Sequence, residues 1–102
     1  DEREPMEAER ARLATTLRER LPEDAVVVLP SAPGPAPKRA ATAADLDAYR
    51  AAALALLSPA GIAGLPQLSL PAGTVDGAPV GLSLMAARDR EGLLLEAAAA
   101  LD

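Results

Sequence analysis

Gln67-Leu68-Ser69-Leu70-Pro71-Ala72-Gly73-Thr74-Val75-Asp76-Gly77-Ala78-Pro79-Val80-Gly81-Leu82-Ser83-Leu84 holds two alternating stretches on either side of an Asp-Gly pair. Gln67–Leu70 and Val80–Leu84 alternate at period two, as side chains of a half-buried strand do. Asp76-Gly77 is the strongest short hairpin signal, because both residues tolerate the positive φ that a tight primed turn needs. Residues 67–86 therefore read as a β-hairpin. Leu68, Leu70, Leu82 and Leu84 should share one face, and Ser69 and Ser83 should lie on the other as sheet-surface residues.

Working outward, Ala25-Val26-Val27-Val28-Leu29 reads as a further strand. An unbroken apolar run rich in β-branched residues suggests burial on both faces, as in the interior of a parallel sheet. The segment Pro30-Ser31-Ala32-Pro33-Gly34-Pro35-Ala36-Pro37 can be neither helix nor ladder strand, and reads as a fixed loop at the strand's C-terminal edge. Residues 5–21 carry Met6, Leu13, Leu17 and Leu21 near helical spacing, with Pro5 suited to a first turn. Thr42-Ala43-Ala44-Asp45 has the form of a capping box, opening a helix to about Leu57, where Ser58-Pro59 is expected to end it. Asp89 is placed to cap a last helix over 90–101.

The predicted order is α-β-α-β-β-α, an α/β arrangement. The strand–helix–strand unit implies a right-handed crossover and a mixed, mostly parallel sheet with helices packed on it. The hairpin adds a neighbouring strand. The elements are too few to cover both faces of such a sheet, so residues 1–102 read as a single, incomplete domain.

Composition supports incompleteness. Hydrophobic residues make up 50% of the 102 residues, yet Tyr49 is the only aromatic, so the core lacks the large rings that supply much of the buried area in small domains. The chain has no Cys and no His, which removes thiolate nucleophiles, Cys/His metal sites and any His-based triad. Net charge is -5 and the basic residues are dispersed, which argues against a nucleic-acid surface. No apolar run approaches the ~20 residues that span a bilayer. The absence of Cys fits a cytoplasmic chain. The start at Asp1, with neither an initiator methionine nor a signal-peptide pattern, points to a processed, truncated or excerpted chain.

Two stretches then act together. One is Val26-Val27-Val28-Leu29-Pro30-Ser31-Ala32-Pro33-Gly34-Pro35-Ala36-Pro37. The other is Ala60-Gly61-Ile62-Ala63-Gly64-Leu65-Pro66-Gln67-Leu68-Ser69-Leu70-Pro71-Ala72-Gly73, continuing into Asp76-Gly77-Ala78-Pro79-Val80-Gly81-Leu82-Ser83-Leu84. Their order and spacing resemble the C-terminal portion of amidase-signature amide hydrolases, over about Ala11 to Leu101. The short link between the proline-rich loop and the next helix is similar to the compact, indoleacetamide-hydrolase-like branch.

The resemblance implies hydrolysis of a carboxamide C–N bond by a serine nucleophile, a second serine and a lysine base whose pKa must be lowered for it to accept a proton. It places these groups, and the Gly/Ser-rich oxyanion loop, upstream of this region, so no catalytic residue is expected in this chain. Lys38, the only lysine, lies beside Arg39 in a loop and reads as solvated. The resemblance puts the end of the middle helix at the substrate, which makes Leu54, Leu57, Ser58 and Ile62 candidate substrate-binding residues, with Ser31 and Ala32 secondary. Equally, Leu54, Leu57 and Ile62 read as ordinary core.

No cofactor or metal is implied. Expected partners are the remaining N-terminal part of an amidase, on the same or a separate polypeptide, and a small-molecule amide; a homodimer is compatible with the resemblance. The competing readings are a non-catalytic amidase-like interaction module and a self-sufficient small α/β domain presenting a proline-rich ligand.

Overall fold

A computed structural model of the chain describes residues 2–101. The elements run α1 (Arg3–Arg20), β1 (Val26–Pro30), α2 (Ala43–Ala63), β2 (Gln67–Val75), β3 (Ala78–Ala86) and α3 (Glu91–Ala100). This is the expected order, α-β-α-β-β-α.

The sheet is not mostly parallel. Its strand order is β1-β3-β2, and β3 pairs antiparallel with both neighbours. Leu84 stands opposite Val28 on one side and Leu68 on the other. β1 and β2 therefore run in the same direction, as a strand–helix–strand unit requires, but the hairpin folds β3 into the gap between them. No parallel ladder forms among the described residues. The reason lies in the turn: Asp76 (φ 52) and Gly77 (φ 79) both take left-handed backbone, which reverses the chain directly onto β2. A register irregularity between Pro71 and Thr74, with Gly73 at φ 107, takes up the offset between the two arms.

β1 is also not buried on both faces. It is an edge strand here, and Val28 is 60% exposed. One face of the sheet is covered by α3, where Leu84, Ala86 and Leu94 form a buried cluster with Val26, Leu68, Leu70 and Leu93 around it. The second cluster joins the C-terminal ends of α1 and α2. Ala60, Ala63 and Leu65 are buried there against Leu17, Leu21 and Met85. Arg18 Nε donates to the Ala63 carbonyl at 2.9 Å and ties the two helix ends together.

Local signals set both ends of α2. The Thr42 hydroxyl accepts from the Asp45 amide, and the Asp45 carboxylate accepts from the Thr42 amide, both at 3.1 Å. However, α2 does not stop at Ser58-Pro59. It continues through Pro59 to Ala63 and ends at Gly64, whose left-handed backbone (φ 66) closes the last turn. Pro59 removes one amide donor, leaving the carbonyl four residues back at Ala55, an exposed residue that water can reach. Asp89 does not cap α3 either. It sits at φ 64, and Arg90 occupies the cap position without a side-chain capping bond.

The result is a plate of 45 × 40 × 14 Å with a radius of gyration of 15.9 Å. A compact domain of this length has a radius of about 13 Å. Fourteen ångströms is little more than the ~10 Å that separates two packed layers, so the chain has no complete sandwich of its own. Met6, Val28, Leu54 and Leu95 are each more than half exposed in consequence. No helix of the described residues is long and apolar enough to cross a membrane.

Candidate functional site

The proline-rich loop leaves β1 and crosses the end of the hairpin, and a cleft of about 650 Å³ opens between them. Ser31, Ala32, Pro33 and Gly34 form one wall, Ser69, Leu70, Val80 and Gly81 the other, and Tyr49 of α2 reaches in from the side. Two hydrogen bonds hold the loop through its backbone. The Ser31 amide donates to the Gly81 carbonyl at 3.1 Å, extending the β1–β3 ladder by one bond. The Tyr49 hydroxyl donates to the Gly34 carbonyl over a long 3.5 Å.

Two serines that line this cleft, Ser31 and Ser69, meet a third, Ser83, behind them. Ser83, in the central strand, has no exposed surface. Its Oγ lies 2.8 Å from Ser31 Oγ and 3.0 Å from Ser69 Oγ. The pairing explains the meeting: Ser69 is the direct cross-strand partner of Ser83, and Ser31 lies two residues beyond Leu29, the partner of Ser83 on β1. Ser83 is thus not the sheet-surface residue that its alternation suggests. Its hydroxyl is satisfied by its neighbours, as burial demands. Gly81 makes room for this. A Cβ at that position would stand 2.8 Å from Ser31 Oγ and 3.0 Å from Ser31 Cβ.

The hydroxyl cluster lacks what a nucleophile needs. The three hydroxyls bond to one another, and the lining of the cleft contains no basic or acidic side chain. Lys38 is exposed and lines a separate depression with Pro37, Asp45 and Tyr49. What the cleft can do is bind: it is uncharged, largely apolar and lined by the hydroxyl residues Ser31, Tyr49 and Ser69.

The four residues expected at a substrate are not gathered around one cavity. Leu54, 62% exposed, and Leu57 lie on the solvent side of α2, and Ser58 is half-buried. Ile62 is turned toward α1, where it lines an apolar groove of about 740 Å³ with Pro5, Met6 and Leu13. The secondary candidates Ser31 and Ala32 are the ones that line the cleft. Tyr49 and Ser69 line it as well, with Ser83 buried behind Ser31 and Ser69, and the sequence gave these three no role at a site. The signal that could have found them is the strand order, because only β3 beside β1 brings Ser83 to Ser31.

Comparison with known proteins gives the family. The family model described as Amidase matches residues 3–95. Amidase 1 of Arabidopsis thaliana is 41% identical over 86 residues, covering 84% of this chain and 20% of that protein. Amidase 1 of Oryza sativa subsp. japonica is 39% identical over 92 residues, covering 90% of this chain and 21% of its own length. A glutamyl-tRNA(Gln) amidotransferase subunit of Pseudomonas entomophila is 47% identical over 73 residues, 72% of this chain and 15% of that protein. The chain belongs to the amidase family. It spans about a fifth of the length of the two plant relatives.

Proposed function

We propose that this chain is the C-terminal portion of an amidase that hydrolyses a carboxamide C–N bond, and that it supplies sheet and pocket wall rather than the reacting groups. The observation that carries this reading is the family match over residues 3–95 to a chain whose own serines have no base beside them. Amide hydrolysis by a serine, a second serine and a lysine then falls to the remaining N-terminal part of the domain, on the same or a separate polypeptide. Exposed Val28, Leu54 and Leu57 fit contact with that part; a substrate wall of Leu54, Leu57, Ser58 and Ile62 follows from the family resemblance, with Leu54 and Leu57 on the solvent side of α2 and Ile62 toward α1. The similarity to indoleacetamide-hydrolase-like amidases makes an arylacetamide the substrate to try first. A cytoplasmic location and a homodimer belong to the same reading.

The test is release of ammonia from 2-phenylacetamide by the complete, folded protein. Ammonia and phenylacetate in equal amounts are expected, and a folded protein that releases neither from this or other simple amides overturns the reading. The second reading, a non-catalytic amidase-like module, draws on the same exposed apolar residues, here facing a partner protein. It predicts no turnover and retained binding.

A further inference from the structure

Three hydroxyls joined by two hydrogen bonds leave one proton over. A serine hydroxyl carries one donor and can accept. Ser83 stands in the middle with its hydroxyl buried, so its own O–H needs an acceptor: it donates to one of Ser31 and Ser69 and accepts from the other. Whichever way the row runs, one terminal serine keeps an unused O–H.

The geometry selects Ser69 for that proton. Ser31 is half-buried, and its backbone is fixed by the bond to the Gly81 carbonyl. Ser69 is exposed and lines the cleft. The row Ser31 to Ser83 to Ser69 then ends in a donor that faces the cleft and is polarised by the two bonds behind it. The lining provides a second, independent indication. From Pro30 to Gly81 it contains Pro, Ser, Ala, Gly, Tyr, Leu and Val, and no charged residue. An ion entering there would lose its water without meeting a counter-charge, whereas a neutral molecule with one acceptor would not.

The structure assigns this cleft, we propose, to an uncharged ligand held through one carbonyl oxygen by the Ser69 hydroxyl, with Ser83 and Ser31 as positioning residues behind it. The choice of a neutral carboxamide as the natural occupant rests on the amidase reading; the donor and the neutral lining do not.

The experiment uses the complete protein and two probes. Phenylacetone is neutral, carries the carbonyl and has no C–N bond to cleave; phenylacetate has the same ring and a negative charge. Calorimetry should show phenylacetone binding, with phenylacetate weaker by about tenfold or more. Ser69→Ala should weaken phenylacetone about threefold to tenfold, the range of one neutral hydrogen bond. Ser69→Thr, which keeps the hydroxyl, should restore most of it. Ser83→Ala should weaken binding by a smaller factor. Should Ser83→Ala fail to fold, the exposed Ser69 pair still decides the matter. Equal affinity in Ser69→Ala and wild type, or equal affinity for the two probes, overturns the assignment. These readouts do not depend on turnover: a protein that binds phenylacetone through Ser69 but releases no ammonia loses the amidase reading and keeps this one.

Discussion

Ser31 Oγ stands 2.8 Å from Ser83 Oγ, although 52 positions separate the two residues in the chain. The contact joins the proline-rich loop to the central strand, and it exists because Gly81, two residues before Ser83, presents no side chain to Ser31.

Gly81→Ala should therefore destabilise the protein by about 1–3 kcal/mol, the usual cost of forcing atoms into a filled site. Thermal unfolding measures it. Ser31→Gly in the same chain removes both of the nearest clashing atoms and should recover most of the loss, leaving only the Leu70 carbonyl at 3.3 Å. A double variant no better than the single one would show that the clash lies elsewhere.

The hairpin turn offers a second test. Gly77 sits at φ 79, a backbone conformation that β-branched residues reach only with strain. Gly77→Val should cost about 1–2 kcal/mol in denaturant unfolding. Asp76→Asn should be nearly neutral, since asparagine accepts left-handed backbone as readily as aspartate.

At the start of α2, Thr42 and Asp45 satisfy one another's amides. Thr42→Ala should cost about 1 kcal/mol, and exchange of the Asp45 amide proton should accelerate more than that of amides near Gly64. Uniform acceleration along the helix would mean that the cap governs the whole element.

Leu54 distinguishes a free helix face from a covered one. It is 62% exposed in this chain, so Leu54→Glu should leave the isolated chain's circular dichroism unchanged. If the rest of an amidase domain covers this face, the same change in the complete protein buries a carboxylate and should cost about 2 kcal/mol or more. Unchanged melting of the complete protein would place that face in solvent.

The Glu9 carboxyl is held below its ordinary range, chiefly by its hydrogen bond from Arg12 and further by the nearby guanidinium charge. A depressed carboxylate contributes stability above its unfolded pKa and loses it as pH falls through the folded value. Carbon-detected titration should find Glu9 ionising at lower pH than in the Arg12→Ala variant. Both side chains lie in solvent, so the acid limb of the unfolding profile should barely move.

The sequence by itself determined what is local. Period-two alternation placed β2 and β3, Asp76-Gly77 placed the turn, and Thr42 with Asp45 placed the start of α2, because each depends on residues within a few positions of one another. The order of proline-rich loop, Gly-Leu-Pro stretch and hairpin also carried the family. Only the tertiary structure decided which strands are neighbours. The Val-rich run of β1 reads as an interior parallel strand, yet β1 is an edge that meets β3 antiparallel. Hydrophobicity records that a strand can be buried, not what lies beside it. The same gap hid the site. Ser83 alternates like a surface residue, and its burial comes from Ser31 and Ser69, which reach it across two ladders. The resemblance put Leu54, Leu57, Ser58 and Ile62 at the substrate; in this chain Ile62 lies toward α1 and Leu54 in solvent. Such choices depend on contacts between residues far apart in the chain, whose energies appear only when the elements meet.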